Sequence, residues 1–109
     1  MDVNYEGYMD NAVSDSPFGI VLGNPSRTKV LFFLLLHPLH DYTTAELSEY
    51  CDLCRQSVRP ALDTLMDYGL VTRTQKVGAT QYYRYDLKSK PGRLLIDFNL
   101  AIVDYSLKN

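Results

Sequence analysis

Thr43-Thr44-Ala45-Glu46-Leu47-Ser48-Glu49-Tyr50-Cys51-Asp52-Leu53-Cys54-Arg55-Gln56-Ser57-Val58-Arg59-Pro60-Ala61-Leu62, closing on Tyr68-Gly69-Leu70-Val71, is the stretch that decides the fold of this chain. Thr43 and Glu46 have the spacing of a capping box, in which each side chain satisfies a free backbone N–H of the other residue at a helix start. Apolar residues at 58, 61, 62 and 65 then recur at helical spacing, and Gly69 supplies the left-handed residue on which helices stop. A short helix from Thr43 is therefore followed, after a tight turn, by a second helix from about Arg55 to Tyr68.

Beyond Gly69, Leu70-Val71-Thr72-Arg73-Thr74-Gln75 and Gln81-Tyr82-Tyr83-Arg84-Tyr85-Asp86-Leu87 alternate like strands, and Lys76-Val77-Gly78-Ala79-Thr80 joins them as a basic loop. Tyr83, Tyr85 and Leu87 share the face expected to pack on the helices; Tyr82, Arg84 and Asp86 face outward. The order of parts is that of a helix-turn-helix followed by a wing. The fold class that follows is α+β, mainly α: a winged helix-turn-helix with a two- or three-stranded wing and a C-terminal dimerisation helix.

Upstream, Asn24-Pro25 marks another helix start, since Asn caps and Pro suits the first helical position. The helix from Pro25 to about His37 is apolar nearly all round in its second half, Val30 to Leu36, and so needs cover on several sides. Pro38 ends it, and Asp41-Tyr42-Thr43 can add a short edge strand. Downstream, a last helix begins near Ser89 to Pro91. On it Leu94, Leu95, Phe98, Ile102 and Tyr105 gather on one side, with Ile96, Leu100, Val103 and Leu107 roughly opposite. Two apolar stripes need two partners. One is the chain's own helices; the other is either a second copy of the protein or the segment Phe18 to Leu22. Ile96, Leu100, Val103 and Leu107 are the expected dimer interface, although the pattern does not say which stripe faces which partner. The divisions expected are residues 1 to 22 as an N-terminal segment, partly flexible or packed on the dimer, 23 to 90 as the DNA-binding domain and 91 to 109 as the dimerisation helix.

At 109 residues the chain is long enough for one modest core, and 46% hydrophobic content is that of a globular protein. Net charge is −2, an average that hides a strong asymmetry. Residues 55 to 93 carry eight Lys or Arg against three Asp, a net +5, whereas residues 1 to 54 carry two against eight acids, a net −6. A basic sector that coincides with the second helix and the wing is the electrostatic footprint of a duplex binder. The acidic total, with Tyr5 and Tyr8, points the other way, to a winged helix used as a protein-interaction module. No apolar run approaches a membrane span and no signal-peptide pattern is present, so a cytoplasmic location without a membrane partner is expected.

On the wheel of the second helix, Val58, Ala61, Leu62 and Leu65 point inward, while Gln56, Arg59, Pro60 and Asp63 point outward with Arg55 and Ser57 on the flanks. Arg matches the O6/N7 edge of guanine and Gln the N6/N7 edge of adenine. The candidate DNA-contacting residues are therefore Arg55, Gln56, Ser57 and Arg59 on the helix with Arg73, Lys76, Thr80 and Arg84 in the wing. Asp63 and Asp67 are expected to tilt the acidic half of the helix away.

Cys51-x-x-Cys54 with His37-x-x-His40 supplies four zinc-ligand types, but the two pairs flank opposite ends of a helix, so no metal or other cofactor is expected. Reversible oxidation between Cys51 and Cys54 that distorts the turn is a better reading than zinc, beside the plain one of a half-buried Cys51 and a weakly capping Cys54. No phosphate loop, nucleophile elbow or acid–base pairing suggests catalysis.

Arg55-Gln56-Ser57-Val58-Arg59-Pro60-Ala61-Leu62-Asp63-Thr64-Leu65, the ending Tyr68-Gly69-Leu70-Val71 and the strand Tyr82-Tyr83-Arg84-Tyr85 resemble winged helix-turn-helix regulators of the ArsR/MarR-like superfamily, especially small archaeal ones. The resemblance covers about residues 20 to 107. It implies a dimeric transcription regulator whose helix from 55 to 68 enters a major groove while the wing from 75 to 81 touches the backbone or minor groove. Two positions depart from the pattern: Cys54 stands where Ser or Thr commonly caps the helix, and Pro60 interrupts its second turn.

Overall fold

The computed structural model describes residues 16 to 108. Tyr5, Tyr8 and the rest of the acidic start lie outside the described residues. Among the described residues, five helices and three strands follow in the order α1 (Pro17–Leu22), α2 (Pro25–Leu36), β1 (Tyr42–Thr43), α3 (Thr44–Tyr50), α4 (Arg55–Asp67), β2 (Val71–Val77), β3 (Thr80–Tyr85) and α5 (Lys90–Leu107).

Each boundary has a local cause. Asn24 accepts from the Arg27 N–H at 3.1 Å ahead of Pro25, and Thr43 and Glu46 form the reciprocal capping box at 3.1 and 2.9 Å. Asp52, at φ 54°, turns the chain between α3 and α4. α4 ends in a Schellman motif: Gly69 takes φ 74°, its N–H bonds to the Met66 carbonyl, and Leu70 N–H reaches Leu65 at 2.9 Å. Because α4 already begins at Arg55, Pro60 lies inside it and leaves the carbonyl of exposed Gln56 without its usual i+4 donor.

The sheet is antiparallel in the order β1-β3-β2, so the wing is three-stranded. Its tip differs from the sequence reading. The strands run on to Val77 and from Thr80, so that Gly78-Ala79 alone make the turn, with Gly78 at φ 60° as its first residue. A five-residue loop is replaced by a two-residue one because Gly78 supplies the positive φ that a tight hairpin requires. β2 also carries a bulge. Arg73 pairs with Tyr83 but Lys76 pairs with Gln81, so Thr74 and Gln75 together oppose Tyr82. The Gln81 side-chain amide donates to the Gln75 carbonyl at 3.0 Å across this irregularity.

One core gathers Val30, Leu31, Leu34 and Leu35 of α2, Leu47 of α3, Val58, Ala61, Leu62 and Leu65 of α4, and Tyr83 and Tyr85 of β3. The inward face of α4 is the one its wheel indicated. Phe33 extends the core into an aromatic group, with Tyr42 edge-on at 4.9 Å and Tyr50 stacked at 5.5 Å. The segment Phe18 to Leu22, read from sequence only as apolar cover, is helix α1. It buries Val21 but leaves Phe18 70% exposed.

Helix α5 is anchored at its start and bare along the rest. Ser89 caps it by accepting from Gly92 N–H at 2.9 Å, and its hydroxyl also donates to the Gly69 carbonyl. Leu95 and Ile96 pack on the core. Beyond them Phe98, Leu100, Ile102, Val103, Tyr105 and Leu107 are all exposed. Among the described residues both stripes thus run out of partners beyond Ile96, while Phe18, Val21 and Leu22 of α1 border the start of the helix, at Pro91 and Leu95.

Candidate nucleic-acid interface

The outward edge of α4 presents Arg55, Gln56, Arg59 and Asp63, all exposed, with Ser57 half-buried. Arg59 lies 3.5 Å from Asp63 one turn on, with both side chains more than half exposed. Such a pair contributes about 0 to 1 kcal/mol, so a phosphate or a base edge can compete for the arginine.

The bulge in β2 determines what stands beside that edge. In a regular strand Arg73 and Lys76, three residues apart, would point to opposite faces. With Thr74 and Gln75 sharing one partner, the alternation slips by one and both cations lie on the face of Tyr83. Arg59 of α4, Arg73 and Lys76 of β2, and Ala79, Gln81 and Tyr83 consequently line one cleft between helix and wing. Three cations and no carboxylate line it. Thr80 is exposed at the tip, where β3 begins.

Arg84 is placed differently. Its Nε lies 2.9 Å from Asp41 Oδ1 on the outer face of the sheet, and the other Asp41 oxygen accepts from Thr74. The carboxylate, only 17% exposed, offsets the charge of the guanidinium beside it. Sequence reasoning could not foresee this, because Asp41 sits 43 residues away along the chain and meets Arg84 only through the pairing of β1 with β3.

The two cysteines face different surroundings. Cys51 is buried at the end of α3, its Sγ 3.8 Å from the Lys29 carbonyl oxygen, and burial pushes its thiol pKa up. Cys54 is exposed at the start of α4 and makes no cap to the backbone. Its Sγ lies 3.1 Å from Ser57 Oγ, and hydrogen bonding from Ser57 holds its pKa below the ordinary thiol value. The His37 ring lies tilted against Phe33, 4.7 Å between ring centres. Among the described residues no three His, Cys, Asp or Glu side chains converge as metal ligands.

A short helix, a tight turn, an outward-facing second helix and a hairpin folded against it follow one another in this chain. This is the winged helix-turn-helix fold. The same fold is found in NolR from Sinorhizobium fredii, with a TM-score of 0.63 and 18% identity over 94% of this chain and 95% of that one. It is found in the homodimeric winged helix-turn-helix DNA-binding domain of Mb0332 from Mycobacterium bovis, at 0.62 and 19% over 98% and 92%. HlyU from Vibrio cholerae follows at 0.60 and 22% over 79% and 87%. No protein-family model matches the sequence, and no curated protein is significantly similar to it. The winged helix-turn-helix here contains no helix, among the described residues, long and apolar enough to cross a membrane.

Proposed function

We propose that this chain is a sequence-specific transcription regulator that binds double-stranded DNA as a homodimer in the cytoplasm. Helix α4 enters the major groove, where Arg55, Gln56, Ser57 and Arg59 meet base edges. The wing lies on the backbone or minor groove through Arg73, Lys76 and Thr80, with Arg84 held back by Asp41. The observation that carries this reading is the cleft in which Arg59, Arg73 and Lys76 converge with no carboxylate among its lining residues. Cations at that density beside an exposed helix edge suit a polyanion whose charges repeat along a groove.

The dimer reading is supported by α5, whose Phe98, Leu100, Ile102 and Val103 are each between 45% and 61% exposed. Phe98 and Ile102 also line an apolar groove with Phe32 and Leu36 of α2, so a second copy laid along α5 would cover both helices. A two-fold pair of that kind sets its reading helices about one DNA turn, roughly 34 to 36 Å, apart and favours an inverted-repeat operator.

Selection from a random duplex pool at two salt concentrations tests the reading. A recovered inverted repeat, bound with an affinity that falls steeply with salt, is the expected result. Absence of duplex binding at low salt, with capture of a protein partner instead, would establish the interaction-module alternative.

A further inference from the structure

The reading helix has a second flank, opposite the wing, and it too is bordered by a polar cleft. Asn24, Ser26 and Arg27 at the start of α2 face Ser57, Pro60, Ala61 and Thr64 of α4 across it. No carboxylate lines this cleft, one cation does, and Ser26, Ser57 and Thr64 bring hydroxyls that can donate. The cation is in an unusual state. Arg27 belongs to none of the ion pairs found among the described residues, and its Nε is buried there without a hydrogen-bond partner. An arginine that lines a cleft without an acidic partner keeps its guanidinium available to an anion that arrives from outside.

Geometry indicates the ligand. An α-helix with its side chains is about 10 to 12 Å across and the major groove is about 12 Å wide, so a helix seated in the groove has a phosphate wall on each side. The wing-side cleft meets one wall through Arg73 and Lys76. We propose that Arg27, with the hydroxyls of Ser26 and Ser57, forms a second phosphodiester-binding site that meets the opposite wall and clamps α4 between the two strands. This deepens the DNA-binding reading and rests on it. Arg27 is then a positioning residue: it fixes the depth and tilt of α4 and reads no base itself. The role also answers Asp63 and Asp67, whose charges would otherwise let the helix drift outward.

The test uses the full chain and the duplex recovered by selection. Ethylation interference on the wild-type complex should mark phosphates on both strands, one set beside the wing and one beside the start of α2. In Arg27→Met, which keeps the apolar stem, the α2-side marks should vanish. The slope of log affinity against log salt should also flatten by about 0.9 for each Arg27 in the complex, with base preference unchanged. Arg27→Lys should restore much of the slope. Interference on the wing side only, or an unchanged slope in Arg27→Met, would overturn the second site while leaving the DNA reading intact. A wild-type protein that binds no duplex would overturn both. Should Arg27→Met fail to fold, the wild-type interference pattern and Arg27→Lys decide the matter.

Discussion

The phenol of Tyr85 donates to the carbonyl oxygen of Gly92 at 2.6 Å, joining the buried face of the wing to the first turn of α5. Burial, then the charges of Asp86 and Asp97, push the Tyr85 pKa up to about 12 from the ordinary value near 10. The folded state therefore holds this proton more tightly than the unfolded chain does. The resulting stability is complete below about pH 10 and is lost as pH rises from there toward 12. Tyr85→Phe should destabilise the protein by about 1 to 3 kcal/mol at neutral pH, because a buried carbonyl loses its donor. The gap between the two proteins in urea unfolding should narrow between pH 10 and 12; a constant gap would show that the phenol is not held in this bond.

Gly92 is required for a different reason. A Cβ there would stand 1.8 Å from the Asp86 carbonyl oxygen, a backbone atom with no rotamer to change. Gly92→Ala should lower stability by about 3 kcal/mol, roughly 12 to 24 °C in Tm for a domain of this size. A melting temperature within a few degrees of wild type would mean that α5 can lift away from the wing freely.

Substitutions in the interface should separate into two kinds. Arg59→Ala and Gln56→Ala should relax base preference, each by about 1 to 3 kcal/mol of discrimination. Arg73→Ala and Lys76→Ala should instead weaken all sequences about equally and flatten the salt slope by about 0.9 per contact. Arg84→Ala, whose main partner is Asp41, should change the salt slope less than either. Equal behaviour of all five in competition binding would reverse the orientation assigned to α4.

Charged residues at Leu100 and Val103, or at Phe98 and Ile102, should leave a folded monomer, since all four are already well exposed in the single chain. Sedimentation and circular dichroism check this. Loss of helicity with either pair would place that stripe in the chain's own core.

Cys54 should react with iodoacetamide well before Cys51. It is exposed and its pKa is lowered, whereas Cys51 is buried and its pKa is raised. Mass spectrometry after brief labelling gives the order, and Cys51 should follow only on unfolding.

What could be read from the chain was whatever local chemistry specifies. The Thr43/Glu46 box, the Asn24 cap, the Gly69 stop and the inward face of Val58, Ala61, Leu62 and Leu65 each depend on residues within about a turn of one another. The features that shape the interface are non-local. The bulge at Thr74 and Gln75 has no sequence mark, since it is a property of pairing with β3, and it alone brings Lys76 to the side of Arg73. Asp41 reaches Arg84 and Thr74 through strand order. Arg27 has no mark of its own in the sequence, because only the packing of α2 on α4 sets it beside Ser57.

The Ser89 hydroxyl bound to Gly69 makes the C-terminus of α4 and the N-terminus of α5 a single corner with no slack between them. In a dimer built on α5, a helix of 18 residues or about 27 Å, that corner works as the rigid elbow of a pair of callipers. Opening or closing the crossing of the two α5 helices would carry both reading helices with it. The tolerance for half-site spacing would then be set by how α5 packs on its twin, far from any base pair.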